Sequence, residues 1–142
     1  MGEVEEWMRL KMKKFDVQTG SKEVFVDITR QVEEVVEKSG VKSGACIVYV
    51  PHTTAAVTIN ENADPSVRQD VLMTLRKCVP DSLPYAHTEG NSPGHAKSSL
   101  VAASITIPVE DGRLVLGTWQ GIFFCEFDGP RRRHVFVQLI PC

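Results

Sequence analysis

Residues 105–116 read Ile105-Thr106-Ile107-Pro108-Val109, then Glu110-Asp111-Gly112, then Arg113-Leu114-Val115-Leu116. Two short apolar-rich runs around Asp-Gly make a hairpin signal, because that dipeptide adopts the left-handed backbone a tight reversal between twisted strands needs. Working outward, Gln120–Phe127 and His134–Ile140 are further strand-like runs, and Asp128-Gly129-Pro130-Arg131 between them reads as another hairpin turn. On the N-terminal side, Ser92-Pro93 opens a short helix from Gly94 to about Ala103, with serine as the cap. Asp64-Pro65 opens a longer one whose apolar face is Val67, Val71, Leu72 and Leu75, ending near Cys78. Ala45–Val50 is a buried-strand pattern broken by Pro51, with Ala56–Ile59 expected beside it. Ile28, Val32, Val35 and Val36 fall at helical spacing after a cap at Asp27 or Thr29, and Gly40 closes that helix. Residues 10–17 and 23–28 alternate apolar and polar side chains, with Thr19-Gly20-Ser21-Lys22 as a hairpin turn between them. Strands with about three helices interspersed, and no regular βαβ alternation, give an α+β fold with a mixed or antiparallel sheet.

The 142 residues suit one domain, residues 1–142, large enough to bury a core without staples. A net charge of -2 supplies no bulk field for nucleic acid or an anionic membrane. The longest apolar run, Gly121–Cys125, is too short to span a bilayer, and the acidic first residues are unlike a secretory leader, so the cytosol is expected. Cys46, Cys78, Cys125 and Cys142 lie far apart with no C-x-x-C pair, which reads as free thiols in a reducing compartment.

Polar residues gather in three places a core would not choose. The first is Pro51-His52-Thr53-Thr54 with Asn60-Glu61-Asn62-Ala63-Asp64, which flank two strands expected to be central, so that both sets are expected to meet at one sheet end. Capping accounts for Asp64, whereas His52 and Glu61 have no such explanation. The second is the loop His87-Thr88-Glu89-Gly90-Asn91 leading to His95, inside a polar segment of unusual length from Pro80 to Ser92. Two imidazoles and a carboxylate suit zinc or another divalent ion, and a helix start near His95 favours an anion. A solvated loop is the plainer reading of the same residues. The third is Gly117-Thr118-Trp119-Gln120 with Glu126, Asp128 and Arg131-Arg132-Arg133. Glu126 and Asp128 lie on one strand face, a pair suited to a divalent cation or proton transfer if that face meets a pocket. The arginines suit phosphate, or else simply solvate a basic turn. Neither a P-loop nor a G-x-G-x-x-G occurs.

In this order the motifs resemble the YjbQ family: His52-Thr53-Thr54-Ala55 through Asp64, Tyr85-x-His87-x-Glu89-x-Asn91 through His95, and Gly117-x-Trp119-Gln120 through Arg131. The resemblance runs from about residue 12 to the end and leaves about residues 1–10 as an acidic extension. It implies an α+β homotrimer with sheets packed about a threefold axis. It also implies a thiamine phosphate synthase activity, coupling a pyrimidine pyrophosphate to a thiazole phosphate with release of pyrophosphate. On that reading His52, Glu61, Glu89, Glu126 and Asp128 are the catalytic candidates. Thr53, Asn60, Asn91, Lys97, Trp119, Gln120, Arg131 and Arg133 are the candidates for binding a small phosphorylated substrate. A divalent metal, magnesium or zinc, is the implied cofactor, with His52, His87 and His95 as candidate ligands. A metal-dependent hydrolase using the same His/Glu set, and a non-catalytic trimer that binds a metal or anion, are the alternatives.

Overall fold

The computed structural model describes Met8 and residues 10–142, so the expected extension at residues 1–10 falls almost wholly outside the described residues. The elements run β1 (Lys13–Gln18), β2 (Val24–Asp27), α1 (Thr29–Ser39), β3 (Ser43–Tyr49), β4 (Ala55–Glu61) and α2 (Pro65–Cys78). After a long loop come α3 (Ser92–Val101), β5 (Ser104–Glu110), β6 (Arg113–Leu114), β7 (Gln120–Glu126) and β8 (Arg132–Pro141). The fold is α+β. It has two antiparallel sheets, one of five strands in the order β1-β8-β3-β5-β6 and one of three in the order β2-β7-β4.

Local chemistry explains the element ends. The Asp64 carboxylate accepts from the Ser66 amide at 2.9 Å and caps α2, with Pro65 in its first turn. Gly40 closes α1 at φ 71°, the left-handed conformation that glycine adopts without strain. The β5–β6 turn has both Asp111 (φ 52°) and Gly112 (φ 74°) left-handed, as the Asp-Gly reading requires. Helix α3 begins one residue before its serine-proline signal: Asn91 stands at the cap position, and its side chain points elsewhere.

Three expected neighbours are not neighbours. Strand β1 pairs with β8 and β2 with β7, so Thr19–Lys22 is a crossing between sheets rather than a hairpin turn. Strand β4 pairs with β7, while β3 lies between β8 and β5 in the other sheet. The Asp128–Arg131 turn likewise carries the chain from one sheet to the other. The physical reason is burial: β7 is buried along almost its whole length, which demands cover on both of its faces. Val32, Val48, Val57, Ile107, Phe124, Val135 and Val137 fill the space between the sheets, with α1 contributing Val32 and Val36. On the other face of the small sheet, Phe25, Ala56, Phe123 and Cys125 pack under Leu72 of α2. Each fully buried phenylalanine contributes about 2–3 kcal/mol of transfer free energy. None of the described helices is long and apolar enough to cross a membrane.

The inter-sheet core ends in a polar bridge. Glu126 shares the inner face of β7 with Ile122 and Phe124, and Arg133 shares the inner face of β8 with Val135. They meet across the two sheets at 2.5 Å, with the glutamate side chain 0% exposed.

Candidate functional site

Four chain segments converge just outside that bridge. Pro51 ends the β3 ladder and delivers His52 and Thr53; the loop before α3 brings His87 and Glu89; the start of α3 adds Asn91 and His95. The β7–β8 crossing adds Asp128, Arg131 and Arg133. Together they line a polar cleft of about 380 Å³. Gly94 allows this closeness: a Cβ there would lie 2.9 Å from the Phe127 carbonyl oxygen, so any side chain would push α3 off the crossing.

His52 is held by an unusual donor. Its Nε2 accepts the backbone N–H of His134 at 2.9 Å, so the imidazole takes the place of a ladder carbonyl beyond the end of β3. A neutral imidazole has one lone pair and one N–H. With Nε2 accepting, Nδ1 carries the proton and can only donate. Burial, then the neighbouring Arg133 and His134, lowers the pKa of His52 below its ordinary value and favours this neutral form. A metal bond through Nε2 would cost the His134 hydrogen bond. His52 therefore fits an anion or carbonyl acceptor better than a metal.

The other imidazoles are less committed. His87 and His95 meet edge to face with ring centres 5.3 Å apart, and the Glu89 carboxylate stands 4.0 Å from His87 Nε2. Among the described residues no three His, Cys, Asp or Glu side chains are arranged to hold a metal ion. Of the set His52, His87 and His95, His87 and His95 meet as neighbours, while His52 uses its Nε2 on the His134 amide.

The carboxylates divide by role. Glu126 accepts from Thr19 Oγ1 (2.7 Å), Arg133 Nε (2.9 Å) and Nη2, and the Asp128 amide (3.0 Å). Burial pushes its pKa up, but these donors outweigh burial and hold it below the usual glutamate value. It is a fixed anion with no free lone-pair direction toward the cleft, and Arg133 is its counter-ion. Arg133 also donates to Thr54 Oγ1 at 2.8 Å. Asp128 accepts from Asn91 Nδ2 and from Arg131 Nη2, both at 2.9 Å, and these donors outweigh its burial to lower its pKa. Glu126 and Asp128 are consequently bound to different arginines and do not present a shared cation site. Arg131 uses Nε and one Nη2 hydrogen on Asp128. Of the five guanidinium N–H groups, three remain, on a side chain 52% exposed at the cleft mouth.

Five of the sequence-selected residues lie elsewhere. Lys97 is 3% exposed and donates to Glu23 at 2.6 Å, while Arg76 holds the other oxygen of Glu23, so this group ties α3 and α2 to the start of β2. Asn60, Glu61, Trp119 and Gln120 sit at the far end of the β4–β7 pair, where Glu61 is the register partner of Gln120. Gln120 Oε1 accepts from the Gly117 amide at 2.7 Å and closes its own turn. The expectation that His52-Thr53-Thr54 and Asn60–Asp64 share one sheet end is therefore not met within a subunit: they flank the same strand, β4, at opposite ends.

Two features escaped the sequence reading. Thr19 and Thr54 complete the Glu126–Arg133 bridge; Thr54 stood in the first polar cluster with no role of its own, and Thr19 only in a turn-like stretch. His134 Nδ1 contacts Asp16 Oδ1 at 2.7 Å, Arg132 holds Asp16 Oδ2 at 2.6 Å, and the His134 ring stacks on His52 at 6.0 Å. Its signal was its place two residues beyond Arg132 on the same face of β8.

Comparison with known proteins agrees over nearly the whole length. The profile of the family described as UPF0047 protein YjbQ-like matches residues 13–142. The UPF0047 protein of Methanocaldococcus jannaschii is 52% identical over 89% of this chain and 92% of its own. Bacillus subtilis YugU, also a UPF0047 protein, is 48% identical over 91% of this chain and 98% of its own. Among solved structures, an uncharacterised YjbQ/UPF0047 protein of Clostridium acetobutylicum superposes with a TM-score of 0.89 at 51% identity, covering 90% of this chain and 99% of that one. A protein of unknown function from Sulfolobus solfataricus gives 0.89 at 37% identity, covering 93% and 97%. With matching profile, sequence relatives and backbone, the chain belongs to the YjbQ/UPF0047 family.

Proposed function

We propose that this chain is a cytosolic, homotrimeric enzyme acting on small phosphorylated substrates. We take its reaction to be of the thiamine phosphate synthase kind, joining a pyrimidine pyrophosphate to a thiazole phosphate and releasing pyrophosphate. The observation that carries this reading is the donor-rich cleft. His52 in its neutral form, the rings of His87 and His95 and the spare N–H groups of Arg131 surround one space, where arginines neutralise Glu126 and Asp128 and Glu89 alone among the described lining carboxylates has no arginine partner. Such a surface stabilises charge that develops on a departing pyrophosphate. Asn91 and Thr53 supply further polar contacts, and Arg133 anchors the wall through Glu126. Magnesium would accompany the pyrophosphate as part of the substrate. Trimer assembly is supported by the outward face of the five-stranded sheet, where Tyr49 and Ile140 are 46% and 47% exposed beside Ile47 and Phe136.

The test is direct turnover. Purified protein with both substrates and magnesium should release pyrophosphate and form thiamine phosphate, followed by phosphorus NMR, and His87→Ala or Arg131→Ala should slow it at least tenfold. Absence of product with the native protein contradicts the reaction. A second reading, a metal-dependent hydrolase, draws on the His87–His95 pair with Glu89 close by. Stoichiometric zinc that disappears in His87→Ala, with hydrolysis of a phosphate ester, would select it.

A further inference from the structure

Two side chains the sequence singled out, Glu61 and Trp119, have no side-chain partner among the described residues of one subunit. Asn60-Glu61 ends β4 and Trp119-Gln120 begins β7, whereas the opposite end of that strand pair, Ala55 against Glu126, abuts the cleft. Six residue steps at roughly 3.3 Å each put about 20 Å between them. Trp119 is 62% exposed and Val115 51%, and neither Glu61 nor Trp119 makes a side-chain hydrogen bond or ion pair among the described residues. An indole left in water beside an unpartnered carboxylate is the composition of a contact surface.

The cleft lacks what that end offers. Among the described residues no indole or phenyl ring lines it, and its one carboxylate without an arginine partner, Glu89, stands on an exposed loop. A ring-bearing phosphate ester would find donors for its anion there, with imidazoles rather than a larger indole or phenyl face to meet its ring. Beyond the His52 wall, the stacked His134 leads onto the uncovered outward face of the five-stranded sheet, where Phe136 is the register partner of Tyr49. One chain thus carries an open polar cleft edged by apolar surface, and, out of its own reach, an exposed tryptophan loop with a spare carboxylate.

We propose that a second copy of this chain seats its Val115–Gln120 loop, with Glu61, over the His52–His134 edge of the cleft, so that two subunits build each ligand site. The joined surfaces are different parts of the chain, so the association is head to tail, and closure into a ring gives every subunit one complete site. The inference rests on the cleft being the ligand site proposed above.

Subunit complementation tests it, with thiamine phosphate as the calorimetric probe. His87→Ala removes one half of the site and Trp119→Ala the other, and each variant alone should bind at least tenfold more weakly than the native protein. Co-expressed in equal amounts, the two variants should restore about one quarter of the native sites, because one subunit boundary in four then joins two intact halves. Native affinity in Trp119→Ala, or no restored sites in the mixture, overturns the proposal. Native affinity in His87→Ala as well, or no binding by the native protein, counts also against the cleft as the ligand site. A ligand-free measurement then decides the proposal alone. With Cys78 and Cys142 replaced by serine, Thr53→Cys and Trp119→Cys in one chain should link subunits covalently with a short bis-maleimide. Monomers only on a denaturing gel refute the contact.

Discussion

Replacing Arg133 with alanine takes from Glu126 its only charge partner among the described residues, in a place water does not reach. The carboxylate is 0% exposed, and Arg133 Nε and Nη2 supply two of the contacts on its oxygens; Thr19 and the Asp128 amide remain. Removing one partner of a buried ion pair costs about 3–5 kcal/mol, because the remaining charge stays desolvated. For a chain of this size that lowers the melting temperature by about 10 °C or more. The pH dependence makes the argument specific. In the native protein the folded pKa of Glu126 is depressed, so its contribution is present above the unfolded carboxylate value, about 4.3, and is lost as pH falls through the folded value. In Arg133→Ala burial acts with less opposition and raises that pKa, so the penalty is present near pH 7 and is relieved on acidification. Urea unfolding at fixed protein concentration, at pH 7 and pH 4.5, should show the difference between variant and native protein shrinking at the lower pH. A variant within about 1 kcal/mol of native at pH 7, or a difference independent of pH, refutes the buried-pair reasoning. The double substitution Glu126→Leu with Arg133→Met should recover most of the loss, since an apolar pair leaves no uncompensated charge.

Other outcomes follow from the same geometry. Nitrogen NMR should find His52 as the Nδ1-protonated tautomer, with a titration midpoint below the ordinary histidine value of about 6.5. Its folded pKa is lowered, so its stabilising contribution is present above that value and fades as pH falls through the folded one. A doubly protonated ring at pH 7 would contradict the His134 hydrogen bond. Lys97→Met should cost about 2–4 kcal/mol in chemical denaturation, because it leaves Glu23 half-neutralised beneath α3; no loss would place Lys97 in solvent. Gly129→Ala should destabilise by about 1–3 kcal/mol, since its Cβ would come within 2.3 Å of the Ser21 carbonyl oxygen. Native stability there would show that the crossing between the sheets yields.

Signals written in adjacent residues were legible. Asp64-Pro65, Gly40 and Asp111-Gly112 each specify a backbone conformation by local chemistry, and each stands where that chemistry places it. The strand partners joined after Thr19–Lys22, Pro51–Thr54 and Asp128–Arg131 were not, because turn residues state where a chain reverses and not which strand it joins next. Thr19–Lys22 has the composition of a hairpin turn, yet Thr19 bonds to Arg131, far along the chain, and β1 runs beside β8 in the other sheet from β2. The cleft was partly legible, since His52, His87, His95 and Arg131 sit in loops too polar for a core. Arg133 and Lys97 were expected to bind a phosphorylated substrate, and it is their folded partners, Glu126 and Glu23, that bury them. The distance from Glu61 and Trp119 to the cleft was invisible because it depends on strand direction rather than on spacing.

Calorimetric titration of inorganic pyrophosphate into the native protein and Arg131→Ala, at one fixed ionic strength, tests the central claim most directly. Arg131 offers its spare N–H groups at the cleft mouth, and charge-assisted hydrogen bonds contribute about 1.5–3 kcal/mol each. The native protein should therefore bind about one pyrophosphate per cleft, and the variant should bind it at least tenfold more weakly. Equal affinity in the two proteins, or no binding by the native one, contradicts the assignment of this cleft to a phosphorylated ligand.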